Sequence, residues 1–178
     1  MDYMRSFWIA PILGLALAWA STAHADLGQP CLDHWAKEAP PAPTEGQQWT
    51  FTFAPIVYHW VYDEEHKPAF VFALELRVAG DRLCGLSLFR NSFGQPSAYV
   101  YVGQRWGHLW GIPQLSVKLT AGVIYGYTGN YHDKVPFNWN GFSPTVVPAL
   151  VYQFRPRDTL DVMLLGTAAV ILAFSHNF

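Results

Sequence analysis

After the first two dozen residues, no apolar stretch reaches the roughly 18 residues that a membrane helix needs. The chain is built instead from aromatic and aliphatic runs of strand length, separated by turn clusters. Charged residues make up only 13% of it, and it carries 8 Trp, 9 Tyr and 12 Phe. Soluble domains usually contain about 25% charged residues, so much of this surface is expected to face something other than water. A backbone in lipid must pair its own N–H and C=O groups. Without a membrane helix, a closed β-barrel is the remaining way to do so.

The N-terminus reads as an export signal. Arg5 supplies a positive charge, Phe7 to Ala20 an apolar run, and Ala23-His24-Ala25 a small-x-small cleavage pattern. Cleavage is expected near Ala25, leaving one domain's worth of chain. Removing Asp2 and Arg5 leaves the net charge at -2, as in the whole sequence. A balance so near zero gives no reason to expect a nucleic-acid partner. Residues 26–48 read as a periplasmic arm, with a short helix over Leu32 to Lys37 stopped by the prolines at 40, 41 and 43. Cys31 and Cys84 both fall toward the periplasmic end. An exported chain can keep a disulfide, and the sequence leaves their pairing open.

Residues 49–178 read as an outer-membrane barrel of eight antiparallel strands. They are expected over 49–62, 70–79, 84–90, 98–106, 115–127, 145–154, 159–165 and 168–178. Connections at 80–81, 107–113 and 155–158 are compact. Those at 63–69, 91–97 and 128–143 are longer or more polar. That alternation fits short periplasmic turns and larger outer loops. In the last strand Val170, Leu172, Phe174 and terminal Phe178 share one face. The opposite face holds Ala169, Ile171, Ala173 and Ser175, which is small and fairly apolar. Such a lumen suits an alkyl chain, or a narrow barrel that fills its own core.

Several short segments, in order, carry a resemblance. They are Pro55-Ile56-Val57-Tyr58-His59, Phe89-Arg90-Asn91-Ser92-Phe93, Leu119-Thr120-Ala121-Gly122-Val123, Pro144-Thr145-Val146-Val147-Pro148 and the terminal Phe178. Together they resemble the outer-membrane lipid A palmitoyltransferases, the PagP family, over roughly residues 53–178. The resemblance implies transfer of a palmitoyl-type chain from a phospholipid donor to a lipid A acceptor, with the chain held in the lumen. It implies His59 and Ser92 as site residues. Asn91 stands where that family has an aspartate. His suits proton transfer near neutral pH, and Ser supplies a hydroxyl nucleophile.

Asn91 is expected to orient the site by hydrogen bonds, with Asp133 and Asp63 as alternative acids for His59. Pro144 and Pro148, four apart, cannot donate to a ladder and mark a weak seam in the wall, unless both lie at the strand's outer start. Lys134, Arg90 and Arg105 are candidates for lipid phosphates. The histidines show no metal spacing, so neither metal nor cofactor is expected. The expected state is a monomer in the outer membrane of a Gram-negative bacterium. Two other functions fit the same residues: a non-enzymatic barrel that binds or passes small amphiphiles, and a lipase-like deacylase.

Overall fold

A computed structural model describes residues 48–61 and 63–178. The expected signal peptide and nearly all of the expected arm, with its short helix, lie outside the described residues. Eight antiparallel strands close into one barrel in sequence order. They are β1 (Gln48–His59), β2 (Phe70–Arg77), β3 (Arg82–Arg90), β4 (Pro96–Trp106), β5 (Leu115–Tyr125), β6 (Phe142–Gln153), β7 (Asp158–Leu165) and β8 (Ala169–Asn177). The all-β reading and all eight strand positions agree with the sequence. Ends shift by up to three residues. β1 stops at His59 because β8 begins at Ala169, its partner; beyond it the Trp60 N–H bonds only the turn carbonyl of Ala168.

Closure joins the two ends of the sheet. β1 pairs with β8 from Thr50↔Asn177 to His59↔Ala169, with one extra β1 residue between Phe53 and Ile56. That bulge holds Pro55, which cannot donate to a regular ladder. The Phe178 N–H adds a bond to the Trp49 carbonyl. The termini of the barrel and the compact turns lie at one end. The other end carries L1 (60–69), L2 (91–95), L3 (126–141, with the short helix η3, Gly129–Lys134) and the turn 166–168, and L1 and L3 are the two longest connections between described strands. By the general asymmetry of these barrels the compact end is periplasmic.

Period-two patterning sorts the side chains. Leu74, Leu88, Val100, Val146 and Phe174 point outward and stay between 43% and 55% exposed. This apolar wall is what lipid contact requires. Thr50, Thr52, Ala73, Ser87, Thr120, Ile171 and Ala173 point inward and are buried. At the inner end Leu76, Val78 and Cys84 pack with Trp49 and Val102. Cys84 is disulfide-bonded; the only other cysteine, Cys31, lies outside the described residues.

The lower lumen holds a charged knot that the sequence reading missed. Lys118 on β5 reaches Glu75 on β2 and Asp161 on β7, at 3.3 Å each. All three are buried. The Tyr101 hydroxyl donates to Glu75 and the Thr159 hydroxyl to Asp161. Arg105 lies on the same side of the wall, bonded to Ser116. It shares the inward face with Tyr99, Tyr101 and Gly103, so its expected role at lipid phosphates is corrected: it points into the lumen near the inner end.

Breaking a buried ion group by removing one partner costs about 3–5 kcal/mol, because it strands the remaining charge. Lys118→Met should therefore destabilise the barrel by that order in denaturant unfolding from detergent micelles. Adding Glu75→Gln and Asp161→Asn should recover most of the loss.

Candidate functional site

The site lies at the outer mouth, where β1 and L2 meet. His59 ends β1 and shares the inward face of Val57. Ser92 follows β3 by two residues. The His59 Nε2 and the Ser92 Oγ are 2.7 Å apart, so two residues 33 apart in sequence form one hydrogen-bonded pair. With the imidazole proton on Nδ1, Ser92 donates to Nε2, the arrangement of a nucleophile facing its base.

L2 is shaped by Asn91. Its side-chain oxygen accepts the backbone N–H groups of Phe93 and Gln95, both at 3.0 Å, and the residue is 1% exposed. These bonds form the tight turn that presents Ser92. His59 is not among its partners, so Asn91 bears on the site through the shape of the turn. Neither alternative acid reaches His59. Asp133 pairs with His132. Asp63 accepts the Glu65 N–H at 3.0 Å and pairs with Lys134 at 3.2 Å. Among the described residues, Ser92 is the only side-chain hydrogen-bond partner of His59.

Below this pair a pocket opens downward through the upper lumen. Fourteen of its lining residues are apolar or aromatic, among them Val57, Val71, Phe89, Val147, Met163 and Ile171; Asn91 and Ser92 stand at the top and Glu75 and Lys118 at the bottom. The total empty space, open mouth included, is about 900 Å³. The charged knot closes the lower end, which makes the pocket blind. Tyr101 lies across the lumen there, stacked on Tyr99 at 4.8 Å. It fits because residue 85 is glycine: a Cβ at that position would sit 2.5 Å from the tyrosine ring. At the mouth, burial pushes the Tyr127 hydroxyl up to about 12, so Tyr127 enters the site neutral.

The wall is incompletely laced in two places. The β6–β7 ladder runs only from Gln153↔Thr159 to Ala149↔Met163, while β6 keeps its bonds to β5 from Tyr125↔Phe142 to Leu115↔Tyr152. Pro148 stands just above the last β7 pair, and Pro144 four residues further out. Both lie within β6 rather than at its outer start, Pro148 in mid-strand. The carbonyls of Thr145 and Val147 accept instead from the hydroxyls of Tyr99 and Thr120, at 3.3 Å each. The β1–β2 ladder likewise ends at Ala54↔Val71, below His59. Both gaps lie beside residues that line the pocket, Val147 and Met163 at one and Val57 and Val71 at the other.

Three loops lock over the mouth. The Gln95 side chain donates to the Thr128 carbonyl and accepts the Thr128 N–H, joining L2 to L3. The Lys67 N–H bonds the Ser92 carbonyl at 2.7 Å, joining L1 to L2. Lys134 of η3 pairs with Asp63 and lies 5.0 Å above the Phe93 ring. Lys134 is thus engaged within the loops, and the candidate phosphate contact left exposed at the outer rim is Arg90.

No protein-family model matches this chain, and no curated protein matches it. Solved structures do. A de novo designed transmembrane β-barrel aligns with a TM-score of 0.52 at 14% identity, covering 75% of this chain and 96% of that one. Ail, the attachment invasion locus protein of Yersinia pestis, aligns with a TM-score of 0.39 at 13% identity, over 76% of this chain and 100% of that one. The N-terminal β-barrel domain of Pseudomonas aeruginosa OprF gives 0.40 at 12%, over 75% and 98%. The likeness to the designed barrel shows the fold: an eight-stranded transmembrane β-barrel.

The Glu65 N–H, and then Lys134, hold the Asp63 carboxyl below its usual range. A depressed carboxylate stabilises its contacts above its ordinary pKa, and that stabilisation is lost as pH falls through the lowered value. The tie from L1 to η3 should therefore hold at neutral pH and open in acid, below about pH 4. Amide hydrogen exchange in 129–134, corrected for intrinsic rates, should speed up there. Asp63→Asn should exchange fast at every pH.

Proposed function

We propose that this chain is an outer-membrane lipid acyltransferase that moves a palmitoyl-type chain from a phospholipid to lipid A. One observation carries the reading: a Ser92–His59 pair at hydrogen-bond distance at the mouth of a blind apolar pocket. The resemblance of segments 55–59, 89–93 and 144–148 to the lipid A palmitoyltransferases supports the choice of acceptor.

In this reading the donor's acyl tail enters the upper lumen and its ester lies at Ser92. The Ser92 oxygen attacks the carbonyl carbon while its proton passes to His59 Nε2. The bond to the glycerol oxygen breaks, and that oxygen takes the proton from His59 and leaves as a lysophospholipid. A lipid A hydroxyl then gives its proton to His59 and attacks the acyl-serine. The ester forms on lipid A and Ser92 recovers its proton. Asn91 keeps the turn that aims Ser92; an amide suffices because the turn needs only an acceptor oxygen. The gap between β6 and β7 gives a tail a sideways route from the bilayer.

The same pocket supports a second reading, a barrel that binds small amphiphiles without chemistry. The blind lower end favours binding over passage. If water replaced lipid A as acceptor, the enzyme would be a deacylase.

Mass spectrometry of lipid A from cells with and without the gene separates the three. The proposal expects an added acyl mass that disappears with the gene. Ser92→Ala and His59→Ala should each abolish it, since losing either half of such a pair costs on the order of 10³-fold or more in rate. Loss of an acyl chain from lipid A would mean a deacylase. Lipid A unchanged by the gene would leave the binding barrel.

A further inference from the structure

A histidine that serves a serine is usually held in place by a carboxylate on its other nitrogen. His59 has no such partner among the described residues. The ring of His66, from L1, lies against it instead, with centroids 4.1 Å apart and planes 35° apart. The edge of Phe93 backs His66 at 5.3 Å and 62°. Tyr131 of η3 stacks on Phe93 at 4.5 Å and 17°. The column therefore runs His59, His66, Phe93, Tyr131 and takes one ring from β1, L1, L2 and L3 in turn.

His66 is itself fixed from below. Its N–H bonds the Asp63 carbonyl at 3.0 Å, closing a turn in which the Asp63 carboxylate accepts the Glu65 N–H. Lys134 then pins the far end of the column by pairing with Asp63 and covering Phe93. Ring contacts of this kind favour particular mutual orientations beyond the gain from the area they bury. That is enough to select one rotamer of a half-buried imidazole.

We propose that His66 is the positioning residue of this site: its ring, rather than an acid, holds the His59 imidazole where Nε2 meets Ser92. The inference rests on the Ser92–His59 reading above. Among the described residues, no hydrogen bond joins His66 to the Ser92 Oγ or the His59 Nε2. The two rings meet at a 35° tilt, and no hydrogen bond joins them among the described residues, so His66 orients His59 and carries no proton to it. Because Tyr131 and Lys134 belong to η3, the alignment of His59 also depends on L3 being closed over the mouth.

The test needs no lipid acceptor. A long-chain alkyl fluorophosphonate reacts with a base-assisted serine. The serine oxygen bonds to phosphorus, the P–F bond breaks, fluoride leaves, and the hydroxyl proton passes to His59. The rate of adduct formation is read by intact-protein mass, with the full barrel in detergent micelles.

Displacement of a reacting group by about 1 Å can cost on the order of 10²-fold. His66→Ala should therefore slow labelling by ~10- to 100-fold with heat-modifiable gel mobility unchanged. His66→Phe, which keeps a flat ring, should recover the rate to within ~3-fold. Glu64→Gln, an exposed neighbour in the same loop, should label like the parent. Ring-current displacement of the His59 Hε1 resonance should be present in the parent and in His66→Phe and absent in His66→Ala.

Labelling of His66→Ala at the parental rate, while Ser92→Ala takes no label, overturns the positioning role and leaves the Ser92–His59 reading standing. A parent that takes no label at Ser92 overturns both. Should His66→Ala lose the folded gel mobility, the resonance in His66→Phe decides: retained displacement supports the stack, and its loss overturns it.

Discussion

A backbone in hydrocarbon has no water to bond, and the β1–β8 seam is where this chain meets that constraint. Eight residues of β8 pair with β1, from Thr50↔Asn177 to His59↔Ala169. Once the sheet is closed, alternation assigns every strand residue to lipid or to lumen. A lumen only eight strands wide has room for side chains and one slender ligand. The same seam ends on His59 at the outer rim. The constraint that makes the barrel thus also places the first site residue.

The lumen is divided by charge. Glu75, Lys118 and Asp161 come from β2, β5 and β7, and the acids can stay buried because Lys118 donates to both while the Tyr101 and Thr159 hydroxyls donate to one each. Two carboxylates at 3.3 Å supply the Coulomb attraction and hydrogen bonds that offset the desolvation of the lysine. Above them the walls are apolar and the ladder is left open beside the prolines of β6. Below them the lumen is polar. A ligand entering from the outer side meets hydrocarbon-like walls and then a closed floor, which suits a single alkyl tail.

The strands were legible because lipid on one side and packing on the other enforce a clean period of two. Leu115 to Val123 and Val170 to Phe174 show it plainly. His59 and Ser92 entered as candidates through the resemblance; their contact comes from β1 ending, and β3 giving way to L2, at the same rim. Arg105 was misread because it was taken with the basic residues near the outer loops. Its parity with Tyr99 and Tyr101, on the same strand, points it inward. The knot has no local signature: the two acids that meet Lys118 lie 43 residues away on either side, and only the closed register brings them together. The ring contact of His66 with His59 depends on loop conformation, for which the sequence offers no periodicity. The turn made by Asn91 was readable as turn chemistry, because asparagine accepts backbone N–H groups two residues on.

The central claim is that the upper lumen receives an acyl tail with its ester at Ser92. Photo-crosslinking with a phospholipid that carries a diazirine at the end of its acyl chain tests this directly, with the Ser92→Ala barrel used so that the donor is bound but not consumed. The account predicts adducts on lumen residues such as Met163, Val147 and Tyr101. Adducts confined to the outer wall, on Leu88, Phe72 or Val100, would contradict it.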